Sequence, residues 1–415
     1  MKAYRQVLTQ SGVARLFLPL VTARLTTSVL SLSLLLAARA ATGSYASASL
    51  VLTAHALALA VTAPVLGRIC DRGRPTTTLL VCLGVHVIAY VCLISALITT
   101  APLVLVAGCA ALVGASTPPA SPVVRGIWPS LIPAKQLQTA YALDSVSNEA
   151  TFICGPLLVA SVVGFAAPTV LVAAGGGVIF LGVLALATAP VVRAVHAPSA
   201  ADRTARRLLG PLAHGRVRLL LVIAGVGTFS IGTMQVGAAA SAASWGAAAS
   251  AGLVFSALAA GAAVGGLLYG ARDWASNQQH HLAFLYAGSG VVLLVAATVS
   301  NLVLLAVVFA VVGLITGGRD AVEQLLLGEA GPKHQRTETF AWLSTFMWTG
   351  FALGTAVAGQ VATRIATPVS YLAGAVGCLL AALAVGLMRG ISGSLHEPEA
   401  SSEVLNDSPA VQGSA

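Results

Sequence analysis

Twelve long apolar stretches fill this chain from about residue 15 to residue 388, and a backbone that enters lipid twelve times has few folds open to it. In hydrocarbon every N–H and C=O has to be satisfied within the protein, which leaves helices and closed barrels. A spanning helix needs about 20 largely apolar residues to cross ~30 Å. The stretches run roughly 16–41, 45–67, 76–98, 101–124, 138–163 and 167–190, then 217–240, 248–270, 281–300, 302–327, 338–363 and 366–388. Unbroken runs of this length exclude the alternating strands of a barrel. The prediction is an all-α membrane protein. Of its 415 residues, 57% are hydrophobic and 8% charged, against about 25% charged in a soluble domain.

A net charge of +9 raises the question of nucleic acid, and its placement answers it. With the amino terminus in the cytoplasm, inner segments hold all but three of the 22 basic residues. The three are Arg39 and Arg364 in outer loops and Arg24 inside the first span. This positive-inside bias places both termini in the cytoplasm of a cell-membrane protein and needs no nucleic-acid partner. Anionic lipid facing the basic loops accounts for the charge. The start, with Leu30 to Leu36 and then Ala38-Arg39-Ala40, mimics a cleaved leader, but Arg24 interrupts its apolar core and eleven spans follow, so it reads as an uncleaved first helix. Six cysteines form no C-x-x-C and read as small apolar packing residues, with no metal site or cofactor implied.

The widest polar break, 191–216, reads as a cytoplasmic linker between a bundle over 1–190 and a bundle over 217–389. The Ser-, Pro- and Glu-rich tail, 390–415, is expected to be disordered. The halves match at an offset of 200 residues: Ser44-Tyr45 with Ser244-Trp245, Arg72 with Arg272, and Leu143 with Leu343. Six spans per half in one orientation argue for duplication, the usual basis of alternating access with a site between the halves. Small residues recur at helical spacing in Gly261-x3-Gly265, Gly266-x3-Gly270 and Gly350-x3-Gly354. Such faces let helices approach closely, as a sliding interface or as static packing within one half.

Between the second and third spans the chain reads Gly67-Arg68-Ile69-Cys70-Asp71-Arg72-Gly73-Arg74. This resembles the major facilitator superfamily signature G-x3-D-[RK]-x-G-[RK]-[RK], one spacer short between Arg72 and Gly73. Thr42-Gly43-Ser44-Tyr45, Arg125-Gly126-Ile127-Trp128-Pro129, Tyr141-Ala142-Leu143-Asp144 and Phe340-Ala341-Trp342-Leu343 resemble a bacterial efflux branch. The resemblance implies twelve helices in two pseudo-symmetric six-helix bundles. It also implies that Asp71 caps the start of the eleventh span and locks an outward-facing state, as an anion does at a helix amino terminus. Arg72, Arg74 and Arg125 are the expected partners of Asp71, and Arg319-Asp320 the matching element of the other half. The chain departs from proton-coupled drug exporters: Leu103 to Gly114 in the fourth span carries no charge, and the fifth-span antiporter signature is reduced to Gly155-Pro156.

Charges inside a bilayer cost at least ~2.5–3.5 kcal/mol each on insertion scales, which makes them functional candidates. Arg24 lies roughly 13 Å up its helix from Arg15, and Glu149 is at similar depth in the fifth span. On one reading both face a central cavity, with Glu149 exchanging a proton; on the other they form a permanent ion pair. Asp144 and Asn148 share a second face of that helix, some 140° round from the first. Gln235 is the strongly polar group deep in the seventh span, and His55 lies near mid-depth in the second. His55 is a titration site or a cross-helix hydrogen bond.

No nucleotide-binding loop, H-E-x-x-H or convergent catalytic set is present, so no enzyme is expected. The leading expectation is a monomeric secondary transporter exporting a small organic molecule against protons. Uptake of a sugar or metabolite, and a sensor derived from a transporter, remain open.

Overall fold

The computed structural model describes residues 2–10, 12–162, 165–195, 210–247, 250–272, 274 and 277–392. The tail beyond 392, the linker residues 196–209 and Arg203, Arg206 and Arg207 lie outside the described residues.

An amphipathic helix, α1 (Lys2–Leu8), precedes α2 (Val13–Thr42), α3 (Tyr45–Arg72) and α4 (Pro75–Ile98). Next come α5 (Leu103–Ala115), α6 (Ala120–Leu131), α7 (Ala134–Val162), α8 (Pro168–Thr188) and the short α9 (Pro190–Arg193). A 3-10 turn, Gly210–Ala213, leads to α10 (Gly215–Ser244), α11 (Ala251–Gly270), α12 (Gln278–Ala296), α13 (Leu302–Ala330), α14 (Arg336–Arg364) and α15 (Thr367–Ser392). Eleven of these segments are long and apolar enough to cross a membrane, α5 and α6 counting as one. The expected fifth span, α7, is helical where predicted but falls short on apolarity. Asp144, Asn148 and Glu149 on it are buried or half-buried against neighbours, so a low hydropathy marks an interior helix here.

The expected fourth span is broken. Pro118 and Pro119 carry no N–H and cannot continue a helix. The Ser116 and Thr117 hydroxyls close the end of α5, onto Leu112 O at 2.7 Å and Val113 O at 3.0 Å. α6 then restarts behind Pro119.

Within the first half α2 packs on α8, α7 and α3, while α5 packs on α3 and α4. In the second, α11 packs on α13, α10 on α14 and α15, and α12 on α15 and α13. Contacts between the halves run from α3 and α6 to α14, and from α7 to α11 and α13. Large apolar side chains face outward all round: Val104 is 84% exposed, Phe284 77% and Val303 75%. A surface this apolar has lipid as its solvent, and the protein is a multi-pass membrane protein.

The glycine stripes divide by partner. Gly261 and Gly265 lie against Ala310 and Leu314 of α13, and Gly350 and Gly354 against Gly225 and Phe229 of α10, all within one half. Gly266 and Gly270 instead meet Val146 and Ala142 of α7, across the two halves. All six cysteines are free; Cys92 and Cys154 are exposed, not packed inside as their apolar character led us to expect.

Candidate functional site

Arg24 sits midway along α2 and is 6% exposed. Its Nε donates to Ser121 Oγ (2.9 Å), Nη1 to Asp144 O (3.0 Å) and Ser147 Oγ (2.9 Å), and Nη2 to both Asp144 carboxylate oxygens (2.8 and 3.0 Å). A guanidinium has five N–H groups, and these contacts use all of them. Arg125 Nε reaches the same carboxylate from α6 at 2.8 Å. Asp144, fully buried, is thus shared by two arginines on two helices. The expected partners are exchanged: Arg24 pairs with Asp144 and not with Glu149, and Arg125 pairs with Asp144 and not with Asp71. The reason is rotational, since Asp144 and Glu149 lie about 140° apart round α7 and the α2 face of α7 is the Asp144 face.

Arg24 also lines a cavity of about 140 Å³. Thr27 of α2, Ala60 of α3, Ser121 of α6 and Ser344 and Trp348 of α14 share its wall, and the Thr117–Pro119 break forms part of it. Both halves therefore contribute. The break in the fourth span is what brings the amino terminus of α6 to the cavity.

One end of the bundle is closed by polar locks between the halves. Asp71, at the end of α3, accepts from the amides of Thr337 (3.2 Å) and Glu338 (2.7 Å), capping α14 as the resemblance implies. Arg68, one turn earlier, pairs with Glu338 at 2.6 Å. Gly67 allows this approach: a Cβ there would come within 2.9 Å of the Ala341 Cβ. Gly73 ends α3 with its amide on Ile69 O (3.0 Å), and Arg72 and Arg74 beside it are exposed.

A second lock joins α7 and α1 to the carboxyl end of α11. Thr139 Oγ1 donates to Gly270 O (2.7 Å), Gln138 Nε2 to Tyr269 O (3.3 Å), and the Tyr4 hydroxyl to Leu267 O (2.8 Å). Burial pushes the Tyr4 phenol up to about 12, so it stays a donor.

Arg319 and Asp320 lie inside α13, not at the end-closing loop where they were expected to match Asp71. Arg319 is 2% exposed, pairs with Asp320 (3.0 Å) and Glu323 (3.5 Å), and lies over the Tyr286 ring. The Tyr286 hydroxyl bonds Glu323. Glu149 on α7 is close enough to Asp320 and Arg319 to feel their charges. Gln324 bridges the same seam to Ser145 at 2.8 Å. His55 is spent on a contact within one half, Nδ1 to Ala110 O at 3.2 Å. Gln235 is exposed and lines no part of the cavity.

Sequence reasoning missed Ser121, Ser147, Arg68, Glu338, Tyr286 and Glu323. A signal existed for Glu338, the acidic residue in the first turn of α14, and for Arg68, one turn from Asp71. The hydroxyls carried none. Among the described residues no group of three His, Cys, Asp or Glu side chains is placed to hold a metal ion.

The model of the Major Facilitator Superfamily matches residues 16–273. The fold is similar to that of a bacterial homologue of the iron transporter ferroportin in an outward-facing state, with a TM-score of 0.77 and 12% identity over 91% of this chain and 99% of that one. It is also similar to the human organic anion transporter MFSD10 (0.71, 16% identity, 92% and 99% covered). The Escherichia coli fucose:proton symporter FucP aligns with a TM-score of 0.67 at 11% identity, covering 91% and 99%. No curated protein sequence matches the chain. At such identities the solved structures speak for the fold alone. The family match spans more than half of the sequence, and the chain belongs to the Major Facilitator Superfamily of membrane transporters.

Proposed function

We propose that the protein is a secondary transporter working by alternating access, with a small organic solute held in the cavity beside Arg24. The observation that carries this reading is a cavity walled by both halves and closed at one end by contacts that water can replace. Residues 1–190 and 217–389 move as units about that cavity, joined by 191–216. The closed end is the cytoplasmic one in this reading, because Arg5, Arg15, Arg68, Arg72, Arg74, Arg272 and Lys333 cluster there, as positive-inside placement requires.

Export coupled to protons is the finer reading. The resemblance to efflux members supports the direction. For the coupling, two carboxylates of α13, Asp320 and Glu323, share one guanidinium, Arg319, and a third, Glu149 of α7, lies near enough across the seam to feel their charges without pairing. That set carries an excess of negative charge which protons neutralise, and a change across the seam alters how the halves meet. The solved neighbours are named for iron, organic anions and sugars, and none of these substrates transfers at 11–16% identity.

The test is solute counterflow and proton flux in proteoliposomes holding the full chain and a pH-sensitive dye. A proton signal that depends on one solute and disappears in Glu149→Gln, with counterflow retained, is the expected result. Flux unchanged in Glu149→Gln refutes the coupling, and no counterflow of any compound in the panel refutes transport.

A further inference from the structure

The charge on the two sides of the cavity is not balanced, and the imbalance bears on what the cavity holds. Arg24 and Arg125 share one carboxylate, Asp144, and no other ion pair reaches either guanidinium among the described residues. The cluster therefore carries one net positive charge in a buried place. Removing a charge from water without a partner costs several kcal/mol. A solute that brings the missing negative charge offsets part of that cost.

Ser121 is where such a solute meets the cluster. Its Oγ accepts from Arg24 Nε, which polarises the hydroxyl and strengthens it as a donor. No acceptor for that O–H is present among the described residues. The Ser121 amide lies in the first turn of α6, where Pro119 and Pro122 have no N–H to offer. Ala120 and Val123 turn theirs back to Pro118 O (2.8 Å) and Pro119 O (3.1 Å), and the Ser121 N–H has no backbone acceptor among the described residues. The remaining hydroxyls of the wall turn their hydrogens to carbonyls: Thr27 to Ala23 O (3.2 Å), Thr345 to Ala60 O (3.0 Å), Thr117 to Val113 O (3.0 Å) and, at the long distance of 3.4 Å, Ser344 to Phe340 O. The free Ser121 hydroxyl thus lies beside a net positive charge and the positive end of the α6 dipole. Elsewhere the wall is alanine, proline, leucine and isoleucine, with Trp348, 49% exposed, held edge-on by Phe152 and Phe351.

We propose that the cavity takes a small organic monocarboxylate, with its carboxylate on the Ser121 hydroxyl and amide and its apolar body against Trp348. This rests on the transporter reading and narrows it to a substrate class. Arg24 supplies field and polarisation but no direct bond in this state, because its five donors are occupied.

The test is equilibrium dialysis of the full chain in lipid nanodiscs against benzoate, phenylacetate and isovalerate, each paired with its neutral alcohol and its amine. At least one carboxylate is expected to bind tenfold or more tighter than its alcohol and amine. Ser121→Ala weakens that binding about tenfold, the loss of one hydrogen bond to a charged group, and leaves the alcohol unchanged. Ser121→Asp places a tethered carboxylate at the same point, where the helix terminus and Arg24 favour it, and abolishes carboxylate binding in a protein that elutes as folded. Alcohols or amines binding as tightly as the acids, no acid bound by folded protein, or undiminished binding in Ser121→Asp overturns the inference. Counterflow of a neutral or cationic compound without acid binding leaves transport standing and removes this proposal. Acid binding without counterflow of any solute does the reverse.

Discussion

Replacing Asp144 by asparagine strips two arginines of their shared counter-ion while leaving their shape almost unchanged. The carboxylate is fully buried and accepts from Arg24 at 2.8 and 3.0 Å and from Arg125 at 2.8 Å. At charge separations near 4 Å and an effective dielectric of about 20, each attraction is worth ~4 kcal/mol. Losing both also leaves two guanidinium groups repelling each other. Asparagine retains one acceptor oxygen but turns an NH2 group toward donors. Relaxation and water entry recover part of the loss, and removal of one partner from a buried pair costs about 3–5 kcal/mol in practice. The expected outcome for Asp144→Asn is a loss of about 3–5 kcal/mol, read by reversible unfolding in mixed detergent micelles. Arg24→Gln on that background is expected to restore more than 1 kcal/mol, because it removes the repulsion between the arginines, whereas Arg24→Gln alone destabilises. A double-mutant cycle with less than about 0.5 kcal/mol of coupling, or an Asp144→Asn protein within about 1 kcal/mol of the parent, would refute the shared-counter-ion account.

Two further predictions use Cys70, a free thiol 1% exposed beside Asp71 at the closed end. Asp71→Ala removes the cap on α14, worth ~0.5–2 kcal/mol, and is expected to raise maleimide labelling of Cys70 about tenfold by site-resolved mass spectrometry; unchanged labelling would mean the cap does not hold that end. Gly270→Leu drives a side chain into Ala142 and the Tyr4 hydroxyl, an overpacking of about 1–3 kcal/mol in this state, and is expected to raise Cys70 labelling likewise. Labelling at the parent rate would show that the α7–α11 seam yields without opening.

What was legible in the sequence was whatever a single helix determines. Length and apolarity placed the helices, and the resemblance of Gly67–Arg74 to the superfamily signature implied the Asp71 cap on α14, whereas the close approach at Gly67 emerged only with the structure. Pairing between helices was not legible to the same degree. Arg24 has two carboxylates to choose from on α7, five residues apart, and the rotation of α7 about its axis selects Asp144. That rotation is set by packing, chiefly against α2, α11 and α13. The missed hydroxyls were invisible for a related reason. In membrane helices serine and threonine commonly return their hydrogens to the preceding turn, so Ser121 stands out only after its neighbours' bonds are accounted for.

The two locks at the closed end are built from opposite ends of helices. Asp71 satisfies amides at the amino terminus of α14, and Tyr4, Gln138 and Thr139 satisfy carbonyls at the carboxyl terminus of α11. Helix ends are where backbone groups have no partner of their own and where water does nearly as well. Each neutral contact therefore contributes only about 0.5–1.5 kcal/mol net, and the Asp71 cap about 0.5–2 kcal/mol in all, despite burial and good geometry. A handful of them holds the end shut by a few kcal/mol, and under the transport reading proposed above that is the range in which a solute with modest preference for one state shifts the population. Apolar interlocking of the same area would hold far more firmly. Gly266 and Gly270 keep the α7–α11 seam close but side-chain-poor, so little hydrophobic surface has to part when it opens. The fold thus places its permanent polar binding, the Arg24–Asp144–Arg125 cluster, inside one half, and its exchangeable binding between the halves.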